Sequence, residues 1–166
     1  MVREYRVILD DPVSELHRQD MTDDAGLYFV FAAKPKRNVQ GELIFALRKL
    51  LYIGRSSDVN RRMNGLHHRH EDILASCAAD ECPCYYYGRV EREDGRPCRE
   101  DDYVRVESAL IYGKQPLLND TADRNFHHEL TFVNLVRSRE STNRDPVTGE
   151  LKALPVAFGL TVVVAI

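Results

Sequence analysis

Two apolar, aromatic-rich runs separated by a turn-forming stretch most constrain how this chain can fold. Gly26 to Ala33 reads Gly-Leu-Tyr-Phe-Val-Phe-Ala-Ala, and Leu43 to Ile53 is a second such run. Branched and aromatic side chains pack well on a pleated surface, so each run reads as a strand. Between them, Lys34-Pro35-Lys36-Arg37-Asn38-Val39-Gln40-Gly41 has turn chemistry at both ends. The expectation is an antiparallel hairpin with a basic tip, which brings Tyr28 and Tyr52 onto neighbouring strands.

The remaining elements follow from period and punctuation. Residues 3 to 9 alternate as a short strand. After Gly54 the period lengthens: Ser56, Ser57 and Asp58 are N-cap residues, and Val59, Met63, Leu66 and His70 recur at helical spacing, which predicts a helix to about Ala79. Cys84 to Val90 reads as a strand, and Glu100 to Tyr112 as a second helix closed by Gly113 and Pro116. Leu130 to Val136 fits strand or helix, and Pro155 to Ile166 a closing strand. A chain of 166 residues suits one domain. The fold class is α/β in the α+β sense: a small central antiparallel sheet flanked by helices. The core spans about residues 25–120, with segments 1–24 and 121–166 packed on it.

Hydrophobic residues make up 43% and charged residues 30%, which excludes disorder for most of the chain. The net charge of −3 argues mildly against a nucleic-acid partner until it is resolved along the sequence. Arg48 to His70 carries +5 and Glu71 to Glu107 carries −6, and Lys34, Lys36 and Arg37 add to the basic side. Fields act locally, so the basic part matters more than the average. The start of the chain lacks the apolar run of a secretory signal, and the stretch Leu154 to Ile166 is too short for a membrane span of ~20 residues, so a cytoplasmic protein with no membrane partner is expected. Cys77, Cys82, Cys84 and Cys98 are expected to be free thiols; a zinc site using them with His67, His68 or His70 is the alternative.

Two charges fall where apolar residues belong. Arg62 follows Val59 by three residues and precedes Leu66 by four, so it shares the apolar face of its helix, while Arg61 turns to solvent. Glu107 follows Tyr103 by four and precedes Leu110 by three. Charges on half-buried faces need partners or metals. Either the two pair with each other or they belong to a site.

The glycines and tyrosines favour a site. Gly26-Leu27-Tyr28 opens one strand, Tyr52-Ile53-Gly54 closes the next, Arg62 lies on the ensuing helix, Glu107 lies inside a later helix, and Asn119 follows in Gln115-Pro116-Leu117-Leu118-Asn119. In that order and on those elements, the five resemble the GIY-YIG nuclease family, in its compact phage-type or restriction-type form. Leu27 replaces the family's isoleucine, the interval from Tyr28 to Tyr52 implies an extended hairpin, and Leu66 stands where some members carry a histidine, so that His67 or His70 would have to substitute.

The resemblance implies a divalent-metal-dependent endonuclease cutting DNA, with Tyr28, Tyr52, Arg62, Glu107 and Asn119 at the site and Glu107 holding Mg²⁺ or Mn²⁺. Phosphodiester hydrolysis needs a proton acceptor for water, charge stabilisation on the phosphoryl oxygens, and help for the leaving oxygen. A tyrosine would accept the proton only if cations lowered its usual pKa of about 10. Lys34, Lys36, Arg37, Arg55, Arg61, Arg69, His67 and His70 are the candidate nucleic-acid contacts. An RNA nuclease and a non-catalytic binding module remain as alternatives, and two coordinated cuts in a duplex would favour a dimer.

Overall fold

The computed structural model describes residues 1–65, 68–120 and 125–166. Its strands are β1 (Arg3–Leu9), β2 (Val13–Ser14), β3 (Gly26–Arg37), β4 (Leu43–Ser56), β5 (Cys82–Arg92), β6 (Thr131–Arg137) and β7 (Val162–Ala165), and its α-helices are α1 (Val59–Asn64), α2 (His70–Ala75) and α3 (Glu100–Lys114). Short 3-10 segments lie at Glu15–Asp20 and Val156–Phe158. The strands form one sheet in the order β4-β3-β5-β1-β6-β7, with β2 beside β5. Among the described residues no helix is long and apolar enough to cross a membrane.

The expected hairpin is present and longer than its apolar runs. Pairing of β3 with β4 continues to Arg37 opposite Leu43, so Lys34, Lys36 and Arg37 lie on a strand and the loop shrinks to residues 38–42. Asn38 closes it, its Oδ1 accepting from the amides of Gln40 and Glu42. β3 is buried from Gly26 to Ala33 because both its faces are covered. Leu27, Phe29 and Phe31 join Val106, Leu110 and Phe158 on the α3 side, while Tyr28, Val30 and Ala32 join Val59, Met63 and Ile73 on the other.

Three expectations change. The sheet is mixed rather than antiparallel, because β6 runs parallel to β1 along its whole length. That pairing seats β1 between β5 and β6, in the interior of the sheet. The helix expected from Ser56 to Ala79 is two short helices. Asp58 caps α1 by accepting from the Arg61 amide, but Asn64 and Gly65 are poor helix formers and Gly65 is extended (φ −77°, ψ −179°), which ends it. Finally, α3 runs past Gly113, which is there for packing: a Cβ would sit 2.4 Å from Val163 Cγ1 of β7. The helix ends two residues later, where Gln115 adopts the left-handed conformation (φ 47°).

Candidate active site

The two glycines of the paired motifs make room for tyrosine rings. Tyr28 pairs with Gly54 across β3 and β4, and its ring lies directly on that glycine: a Cβ at Gly54 would stand 2.3 Å from the Tyr28 hydroxyl oxygen. Gly26 is covered in the same way by the Tyr87 ring, whose Cε2 would stand 2.3 Å from a Cβ there. Tyr52 lies two residues before Gly54, and its ring stacks beside that of Tyr28 at 6.0 Å with 25° between planes. A bulge at Leu51 flips the alternation, sending Leu50 to the α3 side while Leu51 and Tyr52 share the other.

Four of the five motif residues meet on one open cleft of about 310 Å³, lined by Tyr28, Tyr52, Arg55, Ser56, Arg62 and Glu107. Arg62 reaches the Tyr28 hydroxyl from α1, and the two phenols are themselves within hydrogen-bond reach. Arg62 is not core-facing: α1 buries Val59 and Met63, and the guanidinium is exposed at the rim where the tyrosine hydroxyls emerge. Among the described residues Glu107 makes an ion pair with a different arginine. Its Oε2 lies 2.9 Å from Arg55 Nε, and Arg55 Nη1 contacts Glu100 as well.

Asn119, the fifth motif residue, has another task. It is buried, its Oδ1 accepts from the Ile53 amide at 3.0 Å and its Nδ2 donates to the Ile53 carbonyl at 2.9 Å. With both ends of its amide engaged by backbone, it positions the strand that carries Tyr52 and Gly54.

The electrostatics correct one expectation. Burial pushes the Tyr28 hydroxyl above the ordinary tyrosine range, and the Arg62 guanidinium only partly offsets it. Tyr28 is 1% exposed. It is a neutral phenol at neutral pH, whereas Tyr52 is half-buried and opens to the cleft. The hydrogen bond to Tyr28 in turn raises the Arg62 pKa and keeps the guanidinium charged.

Among the described residues a histidine other than the expected His70 enters the site. His68 Nδ1 lies 3.2 Å from Arg62 Nη2, and its ring meets Tyr52 edge-on at 6.0 Å. Guanidinium groups only donate, so Nδ1 accepts and the proton sits on Nε2. Burial, with Arg62 and Arg69 nearby, lowers the His68 pKa and favours this neutral form. His70 is elsewhere, 3.6 Å from Glu15, and His67 lies outside the described residues. The sequence carries no signal for His68 at the site, because an unbroken helical period does not bring it near Arg62; the break at Gly65 does.

The cleft continues at both ends. Tyr52 and Glu107 also line a hollow of about 370 Å³ with Asn125, His127 and His128, none of which carries a sequence signal. Ser56 and Arg62 line a third, of about 300 Å³, with Ser57 and Arg61. The larger hollow of about 730 Å³ lies apart, on the sheet face around Arg6, Arg89, Arg137 and Glu140. Its volume is no argument for chemistry, since Arg6 and Arg89 pair there with Glu91.

The other basic candidates spread out. Arg61 is exposed on α1 beside the third hollow. Lys34 pairs with Asp80 at 2.6 Å, Arg37 donates to the Gly41 carbonyl, and Arg69 pairs with Asp72 and Asp120. Lys36 lies eight residues along β3 from Tyr28, hence roughly 26 Å away at the usual strand rise. Among the described residues no three His, Cys, Asp or Glu side chains cluster to hold a metal, so the cysteine site weighed from the sequence is not assembled there. Glu107 alone is compatible with a hard divalent ion that keeps most of its shell as water and phosphate oxygen.

Comparisons with protein-family models, curated proteins and solved structures found no match.

Proposed function

We propose that this protein is a divalent-metal-dependent endonuclease that hydrolyses phosphodiester bonds in DNA, a compact relative of the GIY-YIG nucleases. One observation carries the reading: Tyr28, Tyr52, Arg62 and Glu107, from β3, β4, α1 and α3, converge on a single open cleft. Structural ion pairing alone does not require two tyrosine hydroxyls, a guanidinium and a carboxylate at one opening. The hollows continuing from both ends of the cleft favour a polymeric substrate over a small phosphodiester.

Each side chain has a distinct task. Arg62 presents a planar fork of donors to the non-bridging oxygens of the phosphate, where charge builds in the transition state. Tyr28 orients that fork from beneath. Tyr52, nearer solvent, is placed to take a proton from attacking water as a phenolate favoured by the charge of Arg62, while His68 packs edge-on against it with Nδ1 engaged by that arginine. A Mg²⁺ or Mn²⁺ held by Glu107 would supply positive charge for the departing 3′ oxygen. Asn119 keeps β4 in register beneath Tyr52.

The test is cleavage of plasmid DNA with Mg²⁺ or Mn²⁺, with structured RNA alongside. The parent should nick or cut DNA, and Arg62→Ala and Glu107→Ala should lose that activity while staying folded. Variants that cut as well as the parent would overturn the site. Faster cleavage of RNA would reassign the substrate, and metal-independent binding unchanged by Glu107→Ala, without cleavage, would make the protein a binding module.

A further inference from the structure

Arg55 stands between two carboxylates of the same helix. Glu100 and Glu107 are seven residues apart on α3, about two turns, and so face one side. Arg55 meets Glu100 through Nη1 and Glu107 through Nε. The two acids differ in exposure: the Glu107 side chain is 20% exposed and that of Glu100 is 67%. The inner contact also differs in kind. Although Arg55 Nε lies 2.9 Å from Glu107 Oε2, its N–H is not aimed at the carboxylate, and this nitrogen is buried without a hydrogen-bond partner among the described residues. The attraction is therefore of charge and not of a directed bond, and it is exchangeable.

A divalent cation at Glu107 needs the lone pairs that Arg55 now faces, and it repels the guanidinium. We propose that Arg55 gates cation entry at Glu107, neutralising that carboxylate while no cation is bound and turning outward when one arrives, with Glu100 as the partner that receives it. Glu100 and Arg55 are thus positioning residues, and Glu100 favours metal binding only through Arg55. Once turned, the guanidinium is left on the cleft wall with unfilled donors for a substrate phosphate.

The inference rests on the metal-dependent reading, and the experiment separates the two. Mn²⁺ affinity is measured by titration calorimetry, without nucleic acid, on the full chain and on Arg55→Gln, Glu100→Gln, the double variant and Glu107→Gln. Arg55→Gln should tighten Mn²⁺ by about fivefold, as expected for removal of a partly exposed competing charge. Glu100→Gln should weaken it by about threefold in the parent and have no effect once Arg55 is gone, a coupling that general electrostatics would not produce. If Mn²⁺ fails to bind the parent, or binds Glu107→Gln equally well, the metal reading falls and the gate with it. If binding depends on Glu107 but Arg55→Gln does not tighten it, or the Glu100 effect survives without Arg55, the gate alone is overturned.

Discussion

Asn119 grips Ile53 by both backbone groups, its carboxamide oxygen taking the Ile53 amide and its nitrogen giving to the Ile53 carbonyl. β4 is an edge strand, and an edge leaves a row of unpaired backbone groups. The segment before Asn119 joins the same repair, since the amides of Leu117 and Leu118 donate to Leu50 and Leu51. The chain after α3 thus acts as a short substitute strand beside Tyr52.

Asn119→Ala should destabilise the fold by about 2 kcal/mol, because it strands two buried backbone groups. Asn119→Asp should be at least as damaging, since the carboxylate cannot donate to the Ile53 carbonyl. Urea denaturation of the two variants checks this, and an Asn119→Ala protein as stable as the parent would show that the carboxamide is dispensable to β4.

Gly54→Ala should cost about 1 to 3 kcal/mol and displace the Tyr28 hydroxyl from Arg62. The new methyl would meet an aromatic ring that is buried and has nowhere to retreat. Leu27→Ile, which restores the letter of the motif without changing volume, should cost less than about 1.5 kcal/mol. Thermal unfolding of the pair tests whether the glycine or the apolar letter carries the constraint.

Arg62→Ala should leave stability within about 0.5 kcal/mol of the parent, because the side chain is exposed and the buried positions of α1 are Val59 and Met63. DNA cleavage should fall by about 10² to 10³ if the guanidinium acts as one oxyanion donor. Arg62→Lys should recover little, since a lysine lacks the planar fork. Single-turnover cleavage rates beside chemical denaturation separate the two effects.

The thiols and tyrosines predict alkaline sensitivity. Burial pushes Cys77 up to about 11 and Tyr87 up to about 12, and raises Cys84, Tyr5, Tyr85 and Tyr86 further. Groups with raised values keep protons in the fold that the unfolded chain gives up, from about pH 9 for thiols and about 10 for phenols. Unfolding then releases protons, so stability falls as pH rises through that range. Lys114, pushed down to about 8 by burial, opposes this with the other sign. Unfolding free energies measured at about pH 8 and about pH 10.5 should show the decline. The same thiols should react slowly with a disulfide reagent until the protein unfolds.

Much of the site is legible in the amino-acid sequence. The Tyr28 and Tyr52 strands follow from local side-chain chemistry, and Arg62 and Glu107 stand out because charge interrupts an apolar period. The same period places Arg62 on the wrong surface, however: short α1 leaves it on the rim and not in the core. His68 and Arg55 are illegible as site partners, one because a helix break near Gly65 redirects the chain, the other because its carboxylates lie on a helix far along the sequence.

Side-chain patterning is enough to set the hairpin, the strand-to-helix order through α3, and the residues whose chemistry stands out, since these depend on neighbours within a turn or two. Long-range packing is what makes β6 run parallel to β1, commits Asn119 to the backbone of β4, and pairs Glu107 with Arg55. Those are contacts between segments distant in the chain, and local propensity carries no information about which of several compatible partners packing will bring together.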